Sequence, residues 1–312
     1  MHDFAANFFQ LLVTGLINGT SYALLGVAFA LILGVSGRFH SAFAVTYTLS
    51  AYVASGVGYF WHMPFWLAVI FGALAALIVG VMMEVFVYLP LSLRAMAANS
   101  NALLMIFVAS LGLAIVGRNL IALTTLSSSS ILIYGFDNKG FNLGPITLTS
   151  LNIAMVVTSW ALILGLAALL KYTDLGRMVR AVRTNWEMSL CCGINPAVIF
   201  AIVFAIGSFL SGVGAVFTAA QTSATADMGQ LPFFYALVVA FLAGLASSPL
   251  RVATVALILG VVEALSALFL PTQWTSLVVF VILLVYVAMR PVKLPDFRKM
   301  LVPRRDPQAK AA

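Results

Sequence analysis

An all-α integral membrane protein, a polytopic bundle of transmembrane helices, is the fold class this sequence predicts, and three observations predict it. The chain of 312 residues is 63% hydrophobic and 8% charged, with a mean hydropathy of +1.10, whereas a soluble domain carries about 25% charged residues. Its apolar residues gather in long blocks, each close to the roughly 20 needed to cross a hydrocarbon core about 30 Å thick, not in the short alternating segments of a β-barrel. One stretch, residues 171–196 (KYTDLGRMVRAVRTNWEMSLCCGINP), breaks the apolar pattern with Lys171, Asp174, Arg177, Arg180, Arg183 and Glu187. A polar island of this kind sits in water.

The apolar blocks run through residues 8–35, 42–60, 65–89, 102–123, 151–170, 197–220, 233–246, 252–270 and 275–289. The first is long enough for one tilted or interrupted helix, or for a short segment followed by a full span, so about eight to ten crossings are expected. The chain reads as a single transmembrane domain, 1–312, without a soluble domain boundary or a fixed-period repeat. Met1-His2-Asp3 offers no basic lead-in, so the first block is not read as a cleaved signal peptide.

Basic residues set the orientation, because Lys and Arg collect on the cytoplasmic side. The tail, 291–312, holds Lys293, Arg298, Lys299, Arg304, Arg305 and Lys310 and belongs in the cytoplasm. Counting back places Arg251, the 171–196 island, Arg94 and Arg38 on the same side; Arg118 and Lys139 fall at the outer side as exceptions. The N-terminus and the polar loop 124–150, with Ser127 to Ser130, Asp137 and Asn138, face outward. The net charge of +7 thus records loop bias and no nucleic-acid partner is expected. Cys191 and Cys192 are adjacent, about 100° apart on a helix, and suit neither a disulfide nor a metal.

Small residues recur at four-residue spacing in Gly15 and Gly19, in Gly72, Ala76 and Gly80, and in Gly207, Ser211 and Ala215. Such faces let helix backbones approach closely and are expected to be buried. Polar groups at membrane depth are the candidate pathway, since they are costly unless they face a cavity or a partner. Asn18, Thr20, Ser21 and Tyr22 lie in the first block, and His40, Thr46, Thr48 and Ser50 along the second. Gln221, Thr222, Thr225 and Asp227 gather at the outer end of the sixth. Each also has a plain structural alternative, for Ser and Thr can bond their own helix backbone. Glu263 is the most expensive, about 2.5 to 3.5 kcal/mol for a charge at helix centre, and is expected to be paired, protonated or cavity-facing. Glu84 is read as structural, snorkelling or paired with Arg94, and His40 as a satisfied polar contact.

Within the island, Asp174 or Thr173 can cap a helix with a basic face, Gly193 can supply the left-handed position after it, and Pro196 forbids its continuation. Such a helix either rests on anionic lipid headgroups or docks a cytoplasmic partner. Thr173-Asp174-Leu175-Gly176-Arg177, Arg180-Ala181-Val182 and Gly193-Ile194-Asn195, with Glu187 in the acidic place between, are similar to the cytoplasmic signature of the branched-chain amino acid permeases, membrane subunits of a class of ABC importers. The resemblance extends over most of the chain: Gly15 to Gly19 followed by Tyr22-Ala23-Leu24, Gly34 to Gly37, Ala51-Tyr52, 243–249 and Leu259 to Ala264 all fall in the family's order. One departure concerns cargo. Where the amino acid permeases usually carry N-F-A-H-G, this chain has His40-Ser41-Ala42-Phe43-Ala44; if that segment touches substrate, the native cargo need not be a branched-chain amino acid.

The resemblance implies two membrane subunits, alike or identical, over two ATP-hydrolysing subunits in a bacterial inner membrane, with a periplasmic binding protein delivering a small polar solute. No G-x-x-x-x-G-K-[ST] phosphate loop occurs in the chain, so no cofactor is expected here, and ATP and Mg would be used by the partners. The island would then be the coupling helix seated in a groove of the ATPase, with Asp174, Gly176, Arg177, Arg180, Glu187 and Gly193 as its contact and shaping residues. A self-contained secondary transporter or channel, with Glu263 and His40 as ion-coupling groups, is the alternative. An intramembrane enzyme has little support, since HExxH and a metal-ligand cluster are absent from the sequence.

Overall fold

A backbone N–H in hydrocarbon has no water to bond, so each spanning segment must close its hydrogen bonds within itself. The computed structural model describes residues 2–97, 102–124, 139–143, 146–245, 247–271 and 274–289, and almost all of them are helical. The order is α1 (His2–Ser36), α2 (Phe43–Trp61), α3 (Phe65–Met83), a π-helical stretch (Glu84–Tyr88), α4 (Leu89–Ala97), α5 (Ala102–Thr124) and a hairpin of β1 (Gly140–Leu143) and β2 (Ile146–Thr149). Then come α6 (Ser150–Tyr172), α7 (Asp174–Thr184), α8 (Trp186–Cys191), α9 (Pro196–Thr222), α10 (Gln230–Ala243), α11 (Pro249–Ser266) and α12 (Thr275–Met289). β1 and β2 pair antiparallel with Gly140 opposite Thr149. The serines and Asp137–Asn138 of the polar loop and the whole basic tail lie outside the described residues.

Every apolar block of the sequence is occupied by helix. The first is one uninterrupted helix of 35 residues. The third continues past residue 89 through the π stretch into α4, and Pro90 supplies the reason: it has no N–H and crowds the carbonyl four residues back, so the ladder slips to a wider turn just before it. Among the described residues, 6 helical segments are long and apolar enough to cross a membrane, and α10 and α12 are shorter apolar helices. Helix α2 spans 19 residues and is largely buried although it carries Thr46, Thr48, Ser50 and Ser55.

The small-residue faces decide how the helices meet. α1 runs antiparallel to α11, and a Cβ added at Gly15 would stand 2.8 Å from the Val261 Cα, one at Gly19 2.9 Å from the Leu257 Cα. α3 lies on α9 in the same fashion: a Cβ at Gly72 would come within 2.8 Å of Val216 Cγ2, and one at Gly80 within 2.6 Å of Ser208 Cβ. Gly207 in turn presses α9 onto Ile32 of α1. These faces are packing surfaces inside the bundle, where close backbone approach substitutes for the hydrophobic drive that lipid cannot provide. α1 is the central column, touching α6, α9, α10 and α11.

Gly260 faces the Gly19 backbone without room for a methyl group, whereas a Cβ at Gly112 meets nothing within 4 Å. Gly260→Ala is expected to lower the thermal midpoint of the detergent-solubilised protein, in keeping with a cost of about 1–3 kcal/mol for overpacking. Gly112→Ala is expected to leave it unchanged.

Candidate functional site

The polar island folds as two helices, not the single one its sequence suggested. Thr173, not Asp174, makes the first cap, its Oγ1 accepting from the Gly176 N–H at 3.3 Å. Asn185 then takes an extended backbone (φ −157°, ψ 107°) and its Oδ1 accepts from the Glu187 and Met188 N–H groups at 3.0 and 3.1 Å. That side chain ends α7 and starts α8 at one residue. Gly193 takes the left-handed conformation at φ 80°, and Asn195 caps α9 by accepting from Ala197 N–H at 3.0 Å. Pro196, first residue of that helix, opens α9 as well as barring a continuation of α8.

α7 sits hard against the end of α6. A Cβ at Gly176 would lie 2.5 Å from the Leu170 carbonyl carbon and 2.7 Å from its Cα, so only glycine fits. Arg180 donates to the Leu170 carbonyl, which satisfies one of the open acceptors at the end of α6. Val179 and Val182 are buried on the same face. Arg177 pairs with Asp174 one turn earlier, and both are about three-quarters exposed (74% and 76%). Glu187 is exposed beside Trp186, Met188 and Leu190 on α8. Arg180 therefore holds the element in place, while Arg177, Glu187 and the α8 apolar side chains form its open face.

A second polar group is buried where α1 gives way to α2. Residues 37–42 are not helical, yet Arg38, His40, Ser41 and Ala42 are all buried. Arg38 forms an ion pair with Glu84 of the π stretch, and its other Nη lies 3.3 Å from Ser92 Oγ. Glu84 was expected to be structural, snorkelling or paired with Arg94; it is paired, but with Arg38, because the 37–42 link passes directly beside the π stretch. His40 Nδ1 is 2.8 Å from Tyr88 Oη, and Ser41 Oγ is 2.9 Å from Ser110 Oγ of α5. His40 Nε2 and Glu84 Oε2 have no hydrogen-bond partner among the described residues. His40 is thus a satisfied contact on one nitrogen, wholly inside protein.

A third group joins the first and eighth apolar blocks. Glu263 is 8% exposed and accepts from Tyr235 Oη of α10 at 2.5 Å, and Tyr22 stacks on Tyr235 with ring centroids 4.3 Å apart. The sequence singled out Tyr22 and Glu263; Tyr235, which links them, carried no signal beyond being an aromatic in an apolar run. Asn18 is exposed, Ser21 is half-buried, and Thr20 spends its hydroxyl on the Leu16 carbonyl at 2.9 Å.

At the opposite end of α9 from the island, Gln221 Nε2 donates to Asn152 Oδ1 of α6 at 3.2 Å, and Thr222 bonds its own helix at Thr218. Ser223, at φ 79°, ends α9 and turns the chain. The turn places Asp227 in an ion pair with Arg118 of α5, which accounts for a charge the sequence left as an exception. Arg118 also stands in the wall of a cavity of about 240 Å³ between α2, α5 and α10, lined besides by Ser41, Thr48, Asn119, Gln230 and apolar side chains, with Asp227 beside that wall and not part of it. Of the predicted pathway residues Thr48 faces it, His40 is the neighbour of one wall residue, and Asn18, Thr20, Ser21, Tyr22, Gln221, Thr222 and Glu263 lie elsewhere. Arg118 was the available clue, because a charge inside an apolar helix calls for a partner.

Removing one member of the Arg38–Glu84 pair leaves the other charged and buried, a change that typically costs about 3–5 kcal/mol. Arg38→Met or Glu84→Leu alone is expected to abolish a monodisperse peak on size exclusion, and the double substitution to restore it.

The chain matches the family model described as branched-chain amino acid transport system, permease component, over residues 11–288. Its sequence is 25% identical over 298 residues to the high-affinity branched-chain amino acid transport system permease protein LivH of Salmonella typhimurium and 24% identical over 298 residues to LivH of Escherichia coli. It is 26% identical over 301 residues to the permease protein BraD of Pseudomonas aeruginosa. Each alignment covers 91% of this chain and 94% of the relative. No solved structure matches. With helices throughout and a family match over nearly its whole length, the chain belongs to the permease components of branched-chain amino acid transport systems.

Proposed function

We propose that this chain is the membrane-spanning subunit of an ATP-driven ABC importer. Its cargo is a small polar solute, a branched-chain amino acid or a related amino acid, amide or organic acid, delivered by a periplasmic binding protein. The observation that carries this is the α7–α8 element: a stiffly mounted helix pair at one end of the bundle with an open face of Arg177, Asp174, Glu187, Trp186, Met188 and Leu190. Mixed charge around exposed apolar side chains has the make-up of a protein interface, more than of a helix resting on anionic lipid. The names of the relatives support the cargo class.

In this reading two ATPase subunits, using ATP and Mg, meet this face in the cytoplasm, and a second permease subunit completes the pathway in the inner membrane. Closure of the ATPase pair moves α7, and the Gly176 and Arg180 contacts carry that movement into α6. Packed helices pass it on as a rigid-body or shear shift. The 171–196 island, Arg94, Arg251 and the tail 291–312 lie on the cytoplasmic side, and the 223–229 turn faces outward. An ion-coupled transporter using Glu263 and His40 is less well supported, because both are buried and already bonded to Tyr235 and Tyr88.

Arg177→Glu combined with Glu187→Arg reverses both exposed charges without touching the α6 contact. In proteoliposomes holding the whole complex, solute uptake per ATP hydrolysed is expected to fall by about tenfold or more, with the permease still purified in normal yield. Unaltered uptake with normal complex assembly would remove α7–α8 from the ATPase interface, and uptake by the permease alone down an ion gradient would favour the ion-coupled alternative.

A further inference from the structure

The cavity between α2, α5 and α10, with Arg118 in its wall and Asp227 paired to Arg118 at its edge, has the chemistry of a site for a zwitterion. We propose that it holds the amino acid on its way through the permease, with the carboxylate on Arg118, the ammonium on Asp227 and the aliphatic side chain between Val45, Ile115 and Phe233. This rests on the amino acid reading of the cargo given above.

Arg118 is the one charged residue in a mainly apolar helix of 23 residues, and a charge so placed faces water, a partner or a cavity, not lipid. Its partner Asp227 comes from the turn after α9, and the contact joins the Arg118 Nε to the Asp227 Oδ1. The Arg118 Nη groups and Asp227 Oδ2 make no hydrogen bond among the described residues. A guanidinium offers donors in a planar fork that suits a carboxylate. The pair therefore presents, side by side, an open donor fork and an open anionic acceptor, the two poles that a free amino acid needs. Both side chains are about half exposed, 47% and 56%, so neither charge is sealed inside the bundle.

The cavity fits the remainder of the molecule. At about 240 Å³ it equals roughly eight waters' share of liquid, enough for a medium-sized amino acid and too little for a peptide. Its walls are mainly apolar, with a few polar groups that can fix orientation; Gln230 is one, and its amide has no hydrogen-bond partner among the described residues. Ser41 adds a direct link to the buried centre, since it belongs to the same 37–42 segment as Arg38 and His40.

The test is competition binding of radiolabelled leucine to the permease purified together with its ATPases, using 4-methylpentanoate, which lacks the ammonium, as competitor. The wild type is expected to bind leucine and to prefer it over 4-methylpentanoate. Arg118→Gln is expected to weaken binding of both by about tenfold or more, the scale of a lost charge-assisted hydrogen bond. Asp227→Asn is expected to weaken leucine alone, so that the preference disappears; a merely structural clasp would affect both ligands equally, and that result overturns the proposal. Ala114→Phe fills the cavity and leaves the ion pair intact, and it is expected to abolish binding; retained binding in that variant also overturns the proposal. Variants that bind like the wild type while the complete transporter imports leucine would reject this site and leave the importer reading standing. A wild-type complex that imports no neutral amino acid would reject both.

Discussion

Residues 37–42 leave the helical state inside the bundle, and the Arg38–Glu84 ion pair is what makes that departure tolerable. Helix is the default here because lipid offers no hydrogen bonds, so a non-helical, buried segment needs polar partners from protein. Arg38 finds them in Glu84 and Ser92, Ser41 in Ser110, and His40 in Tyr88. Glu84 and Tyr88 bound the π-helical stretch, whose wider turn is tied to Pro90. The break after α1, the distortion after α3 and the placement of α5 are in this sense one arrangement, made of groups that none of those helices could satisfy alone.

The second departure from helix lies at residues 223–229, between α9 and α10. Gly229 is buried against the backbone of Ala44, close enough that no Cβ would fit, so this turn dips inward toward the start of α2. The two irregular segments thus converge on the same region from different ends of the bundle. Irregular backbone at membrane depth is tolerated where it is buried in protein or lines a cavity, and here it does both: Ser41 and Ala226 each contribute to the wall of the cavity that α5 closes.

Much of the helical framework was legible in the sequence because a single requirement, a long apolar run, governs each span and is met locally. Glycine spacing likewise announced the contact faces of α1, α3 and α9. The partners of the buried charges were not legible. Glu84 lies 46 residues from Arg38, and Glu263 28 residues from Tyr235, and such pairings depend on how the packed helices align, which composition does not encode. The break at Asn185 was hidden for a different reason: an asparagine within a basic amphipathic run fits helix about as poorly as several of its neighbours, and only its backbone conformation turns it into a cap. Nor was it legible that Arg180, whose charge suggested a docking role, also bonds the end of α6.

The mounting of α7 also has a mechanical meaning. Its joint to α6 is stiff, because glycine allows contact without a gap and an arginine ties across it, and its joint to α8 is a single extended residue, Asn185, hydrogen-bonded back to Ala181 and forward to Glu187, Met188 and Ser189. A load arriving on this pair of helices would meet α6 at Gly176 and Arg180. That contact would turn the displacement into tilt of α6, a helix of 23 residues and so about 34 Å of lever arm.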